Sequence, residues 1–133
     1  MTHVLVVEDD PHNAVLFRKM LEKRGGFRVT VTESAEEIFA LVQGGTVDLV
    51  VMDVSLTNTK WENSPLNGVE LCRRLKNEPR TASVPVLLAT AHAMRGDADK
   101  LLAESGADDY VSKPIVDHEA FVRHVRGMLG EAA

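Results

Sequence analysis

Apolar runs recur along this chain with helix-like stretches between them, and no other feature constrains the fold as tightly. The runs are VLVVE at 4–8, FRVTV at 27–31, VDLVVMD at 47–53, VPVLLAT at 84–90 and a shorter DYVS at 109–112. The first, third and fourth are almost continuously apolar, as strands are in a parallel sheet covered by helices on both faces. Thr30 and Thr32 dilute the second run, which suits the edge of such a sheet.

Helix signals fill the intervals. Asp10 before Pro11 reads as an N-cap followed by proline at the first helical position, and Gly25-Gly26 closes that helix. Ser34 with Glu37 makes a capping box for a second helix, which ends at Gly44-Gly45. A third is expected over 67–78, with Val69, Leu71, Cys72 and Leu75 on one face and Pro79 as its stop. A fourth is expected near 93–105, weakened at its start by Gly96. The fifth, about 117–129, places Phe121, Val122, Val125, Met128 and Leu129 on its apolar side. Five β/α units with right-handed crossovers give an open, doubly wound α/β sheet.

At 133 residues and 44% hydrophobic, the chain has the size of one domain with a substantial core. We expect a single domain over 1–133 with no output domain. The opening MTHVLVVEDD has no basic stretch ahead of its apolar residues, and no segment approaches a membrane span, so a signal peptide and membrane insertion are both unexpected. A cytoplasmic location follows as the expectation. Net charge is −5, from 15 basic and 20 acidic side chains, which argues against direct nucleic-acid binding and for proteins or small phosphorylated donors as partners. The single cysteine, Cys72, has no internal disulfide partner and reads as a small core residue.

Ligands of doubly wound sheets bind beyond the C-terminal strand ends. The residues there are Glu8 and Asp9 after the first strand, Asp53 after the third, Thr90 after the fourth and Lys113 after the fifth. Three carboxylates at one mouth repel one another and favour a hard divalent cation with oxygen ligands, usually magnesium. A lysine and a hydroxyl opposite them supply the charge and hydrogen bonds that a phosphoryl group needs. Singly, each residue has an ordinary role as a cap, a turn residue or a solvated charge, and for Asp10 the cap is the better reading. Jointly, at the ends of four strands, they describe a phosphoryl-transfer pocket.

The motifs LVVEDDP, LVVMD, LLATAHAM and GADDYVSKP, in this order over nearly the whole chain, resemble the receiver domains of two-component response regulators. The resemblance implies a flavodoxin-like strand order 2-1-3-4-5. It also implies that Asp53 attacks the phosphoryl group of a phosphohistidine on a histidine kinase or histidine phosphotransfer protein, forming an acyl phosphate. Magnesium would be bound by Asp9, Asp53 and the backbone carbonyl of Ser55, with Glu8 acting mainly through water. Lys113 would pair with the phosphoryl oxygens, aided by a Lys113-Pro114 peptide that is often cis in the family, and Thr90 would hydrogen-bond one of them. Thr90 and Tyr110 match the family's switch pair, which would move the fourth helix and its flanking strands and so signal in trans to a downstream protein. Two further positions that tune phosphoryl lifetime are here Ser55 and His92; His92 suits either the pocket rim or an exposed helix start.

One stretch departs from the family. Between Asp53 and Gly68 the connection is longer by about seven residues, where NTKWENSP intervenes before LNG. It carries Trp61, the only tryptophan, placed either to contact a partner or to pack back and order the loop. Other function classes fit less well. A pseudo-receiver, binding without phosphorylation, is the main alternative, yet the acidic pair, Asp53 and Lys113 are all present. A haloacid-dehalogenase-like phosphohydrolase would carry its nucleophile on the first strand and a second Asp where this chain has Ser55. A flavodoxin-like cofactor binder would need a phosphate-binding loop after the first strand, which is missing. No catalysis on a separate substrate is expected, only self-phosphorylation from a donor and self-dephosphorylation.

Overall fold

In the computed structural model, which describes residues 2–54, 60–61, 64–65, 67–91, 97–113 and 115–130, five parallel strands form one sheet. They are β1 (His3–Val7), β2 (Arg28–Thr32), β3 (Leu49–Asp53), β4 (Val86–Thr90) and β5 (Asp109–Ser112), in spatial order β2-β1-β3-β4-β5. The expected order is thus observed, with the Thr-containing strand at an edge. Val7 lies opposite both Thr32 and Met52, Asp53 opposite Ala89, and Thr90 opposite Ser112, so the strands end side by side.

The helices start where the sequence supplies caps. Asp10, Ser34, Asn67 and Asp117 accept from the backbone N–H groups of His12, Glu37, Glu70 and Ala120, which otherwise have no partner in the first turn. They open α1 (Pro11–Lys19), α2 (Ala35–Gln43), α3 (Gly68–Asn77) and α5 (His118–Met128). The fourth helix, α4, spans Asp97–Ser105; its expected first residues and Gly96 lie outside the described residues. After α1 the coil widens over Met20–Arg24, where the Gly25 N–H reaches back five residues to the Met20 carbonyl (3.3 Å). Gly26, at φ 68°, then ends it as anticipated.

The apolar runs are continuous because each strand feeds two cores. Val4, Val6, Leu49, Val51, Leu87 and Ala89 face α1 and α5, where the Phe17 and Phe121 rings stand 5.6 Å apart. The alternating set Leu5, Val7, Val50, Met52, Val86 and Leu88 faces α2 and α3 and packs on Ile38, Leu71, Cys72 and Leu75. Cys72 is fully buried, as read from its helical position.

A short antiparallel ribbon pairs Lys60 with Pro65 and Trp61 with Ser64. No sequence pattern marked it, because strands of two residues are too short for any periodicity. Among the described residues, no helix is long and apolar enough to cross a membrane.

Candidate functional site

The two-residue repeat of a strand decides which strand-end side chains meet. Glu8 continues the series Val4, Val6; Asp53 continues Leu49, Val51; Lys113 continues Val111. All three therefore emerge on the side of the sheet that carries α1 and α5. Thr90 continues Val86 and Leu88 and faces the other side.

Glu8 and Asp53 are only 4% and 3% exposed, while Asp9 is half-buried. One carboxylate oxygen from each of the three lies within 4.8 Å of the others. The Lys113 ammonium reaches in from the end of β5, 2.9 Å from Asp53 Oδ1 and 4.0 Å from Glu8 Oε2. Its backbone is anchored by a 2.8 Å bond from the Lys113 N–H to the Thr90 carbonyl, so the end of β4 aims the lysine.

The charge in this pocket is unbalanced. Burial pushes the Glu8 carboxyl up to about 7, and neighbouring Asp53 adds to the rise; Lys113 and Asn13 act in the opposite direction. Among the described residues, neither Glu8 oxygen has a hydrogen-bond partner. Buried carboxylate oxygens without donors, beside two further carboxylates, are oxygen ligands suited to a hard divalent cation, so the residues present fit a magnesium ion.

Glu8, Asp9, Asp53 and Lys113, expected to converge, do so. Thr90, expected to converge with them, is fully buried at the adjoining strand end and faces the other side of the sheet, because it continues the Val86, Leu88 series. Tyr110, opposite Leu88 on β5, is half-buried and packs on the α2/α3 layer together with Leu101 of α4. Asp10 serves as the cap of α1, accepting from His12 N at 2.9 Å. Ser55, His92 and Pro114 lie outside the described residues, as does the side chain of Trp61, whose backbone forms the ribbon.

Two contributors were not read from the sequence. Asn13, in the first turn of α1, stands beside Glu8 and favours its ionised form; nothing in its local pattern marks it. Gly68 opens α3 against the end of β3, where a Cβ would collide with the Asp53 carbonyl oxygen. A poor helix former directly after a helix cap was the one available signal.

Residues 4–126 match the response regulator receiver domain family. The polar-differentiation response regulator DivK of Brucella ovis is 32% identical over 129 residues, covering 97% of this chain and 97% of its own. Among solved structures, the receiver domain of a sensor histidine kinase from Pseudomonas aeruginosa, with a magnesium ion coordinated in its active-site cleft, superposes with a TM-score of 0.80 at 26% identity over 98% of both chains. The signal receiver domain of a signal transduction histidine kinase from Syntrophus aciditrophicus gives 0.79 at 28% identity, over 98% of this chain and 91% of that one. With the strand order, the acidic cluster and the paired lysine in place, this chain belongs to the response regulator receiver domains of two-component signalling.

Proposed function

We propose that the domain accepts a phosphoryl group on Asp53 from a phosphohistidine of a histidine kinase or histidine phosphotransfer protein, and then acts in trans on a downstream protein. The observation that carries this reading is the position of Asp53, at the end of a central strand, with Lys113 at 2.9 Å and the carboxylates of Glu8 and Asp9 beside it. An Asp53 oxygen bonds to phosphorus as the P–N bond to the donor imidazole breaks, and the electron pair leaves on the imidazole nitrogen. Lys113 neutralises the phosphoryl oxygens, and the Thr90 hydroxyl, which faces the other side of the sheet before phosphorylation, turns inward to hydrogen-bond one of them. Asp9 and Asp53 would hold magnesium, together with the Ser55 carbonyl and with Glu8 acting through water as the family resemblance implies. The ion supplies positive charge to the transferring phosphoryl group.

Loss of the group to water reverses the modification, so the chemistry is self-modification and the domain does not turn over a separate substrate. Thr90 and Tyr110 project from the same face of the sheet, towards the layer that includes Leu101 of α4, which supports them as the relay from phosphorylation to a binding surface. Trp61, on the inserted connection that follows Asp53 in the sequence, is assigned to a partner contact. A cytoplasmic location suits these partners.

The test is incubation with magnesium and acetyl phosphate, followed by intact mass measurement. Wild type should gain one acid-stable, base-labile phosphoryl adduct and Asp53→Asn none; no adduct on wild type, or equal labelling of both, defeats the reading.

A further inference from the structure

We infer that Gly68 is a positioning residue for Asp53: the lack of a side chain at the start of α3 sets the backbone from which the acceptor carboxylate projects. The inference rests on Asp53 being the acceptor. A Cβ on Gly68 would collide with the Asp53 carbonyl oxygen and lie 2.8 Å from its carbon and 2.9 Å from Val54 Cα. All three atoms are backbone, so no side-chain rotation relieves the contact. Gly68 is not among the glycines with positive φ, so what the position demands is space rather than an unusual backbone conformation.

The peptide after Asp53 is gripped from two sides. Val54 N–H donates to the Ala89 carbonyl of β4 at 3.0 Å, and Gly68 N–H donates to the Val54 carbonyl at 3.2 Å. An added methyl must displace either α3 or the end of β3. The helix is anchored by Leu71, Cys72 and Leu75, each no more than 1% exposed. Asp53 lies one residue beyond the last register pair with β1, which joins Val7 to Met52, and its register partner is Ala89 of β4. The strand end is therefore the part that yields, and it carries the carboxylate whose distances to Lys113, Glu8 and Asp9 define the pocket.

Wild type, Gly68→Ala and Asn67→Ala are compared for the rate of adduct formation with acetyl phosphate, and for magnesium affinity by calorimetry. Asn67→Ala removes the helix cap, a 2.9 Å bond from Glu70 N to Asn67 Oδ1, and adds no atom near Asp53. Since ångström-scale misplacement costs up to about a hundredfold, Gly68→Ala should slow labelling at least about tenfold and weaken magnesium binding while the circular dichroism stays native; Asn67→Ala should stay within about twofold of wild type. The inference is overturned if folded Gly68→Ala labels and binds magnesium as wild type does, or if Asn67→Ala reproduces its losses. Should Gly68→Ala not fold, wild type decides: its Gly68 amide resonance should move during a magnesium titration, and a stationary resonance overturns the inference. A wild type that takes no adduct overturns the acceptor reading, and this inference with it.

Discussion

The Lys113 ammonium lies 2.9 Å from Asp53 and 4.0 Å from Glu8, with both carboxylates almost fully buried and the lysine side chain 14% exposed. Removing it by Lys113→Ala leaves two buried carboxylates and Asp9 facing one another. The metal-free variant should lose on the order of 3 kcal/mol, because one partner of a buried pair has gone. Magnesium should restore part of that loss. Urea unfolding at neutral pH, with and without magnesium, reads both effects; equal stability of variant and wild type without metal would contradict this account of the pocket.

Magnesium itself should stabilise wild type by about 1.4 kcal/mol at ten times its dissociation constant, the mass-action value for one site. Asp9→Asn and Asp53→Asn each remove a charge from the cluster and should lose most of that gain. Chelation with EDTA should reverse the stabilisation in wild type, and thermal melts at graded magnesium concentrations are the measurement.

Burial raises the Cys72 thiol from 9.0 to about 11. The folded chain therefore favours the neutral thiol, and the associated stability is complete below about pH 9 and lost as pH rises through about 11. Between those values wild type should lose stability faster than Cys72→Ala does. At neutral pH the native thiol should resist iodoacetamide and react only on unfolding, since the thiolate is the nucleophile. Rapid labelling of the native protein would show the site to be open.

Lys76, at the end of α3, donates to the Val84 carbonyl at 2.8 Å and to Asp108 Oδ2 at 2.7 Å. The same Asp108 oxygen accepts from Val86 N at 2.7 Å, so one ion pair ties α3 to the start of β4 and to the turn before β5. Asp108 is half-exposed, which limits the pair to a coupling of about 1 kcal/mol in a Lys76→Met, Asp108→Asn double-mutant cycle. A coupling indistinguishable from zero would reduce it to a surface contact.

If Thr90 and Tyr110 relay phosphorylation, Tyr110→Ala should take up the phosphoryl group at close to the wild-type rate yet lose the accompanying change in hydrogen exchange over α4. An unchanged exchange response in the variant would remove the tyrosine from the relay.

Much of this architecture follows from local pattern. Continuous apolar runs demand burial on both strand faces, the threonine-diluted strand belongs at an edge, and Asp10 and Ser34 cap helices because a side-chain acceptor meets exposed N–H groups there. The polar strand ends pointed to the site only jointly: one such residue after a buried run is an ordinary cap, turn residue or solvated charge, but acids, a hydroxyl and a lysine at the ends of four strands share no structural purpose. The widened coil after α1 and the ribbon at 60–61 and 64–65 were not legible, since neither produces a periodic signal.

By itself the sequence determined the α/β class and four of the residues that converge, Glu8, Asp9, Asp53 and Lys113, because both depend on burial and strand periodicity, which are local properties of the chain. The tertiary structure decided their arrangement. It left Glu8 buried with no hydrogen-bond partner among the described residues, sent Lys113 to Asp53 through an anchor on Thr90, and brought Gly68 against the acceptor's own carbonyl. Those relationships join residues up to sixty positions apart. They arise only when strands and helices pack at contact distance, where the space available to a single Cβ becomes decisive.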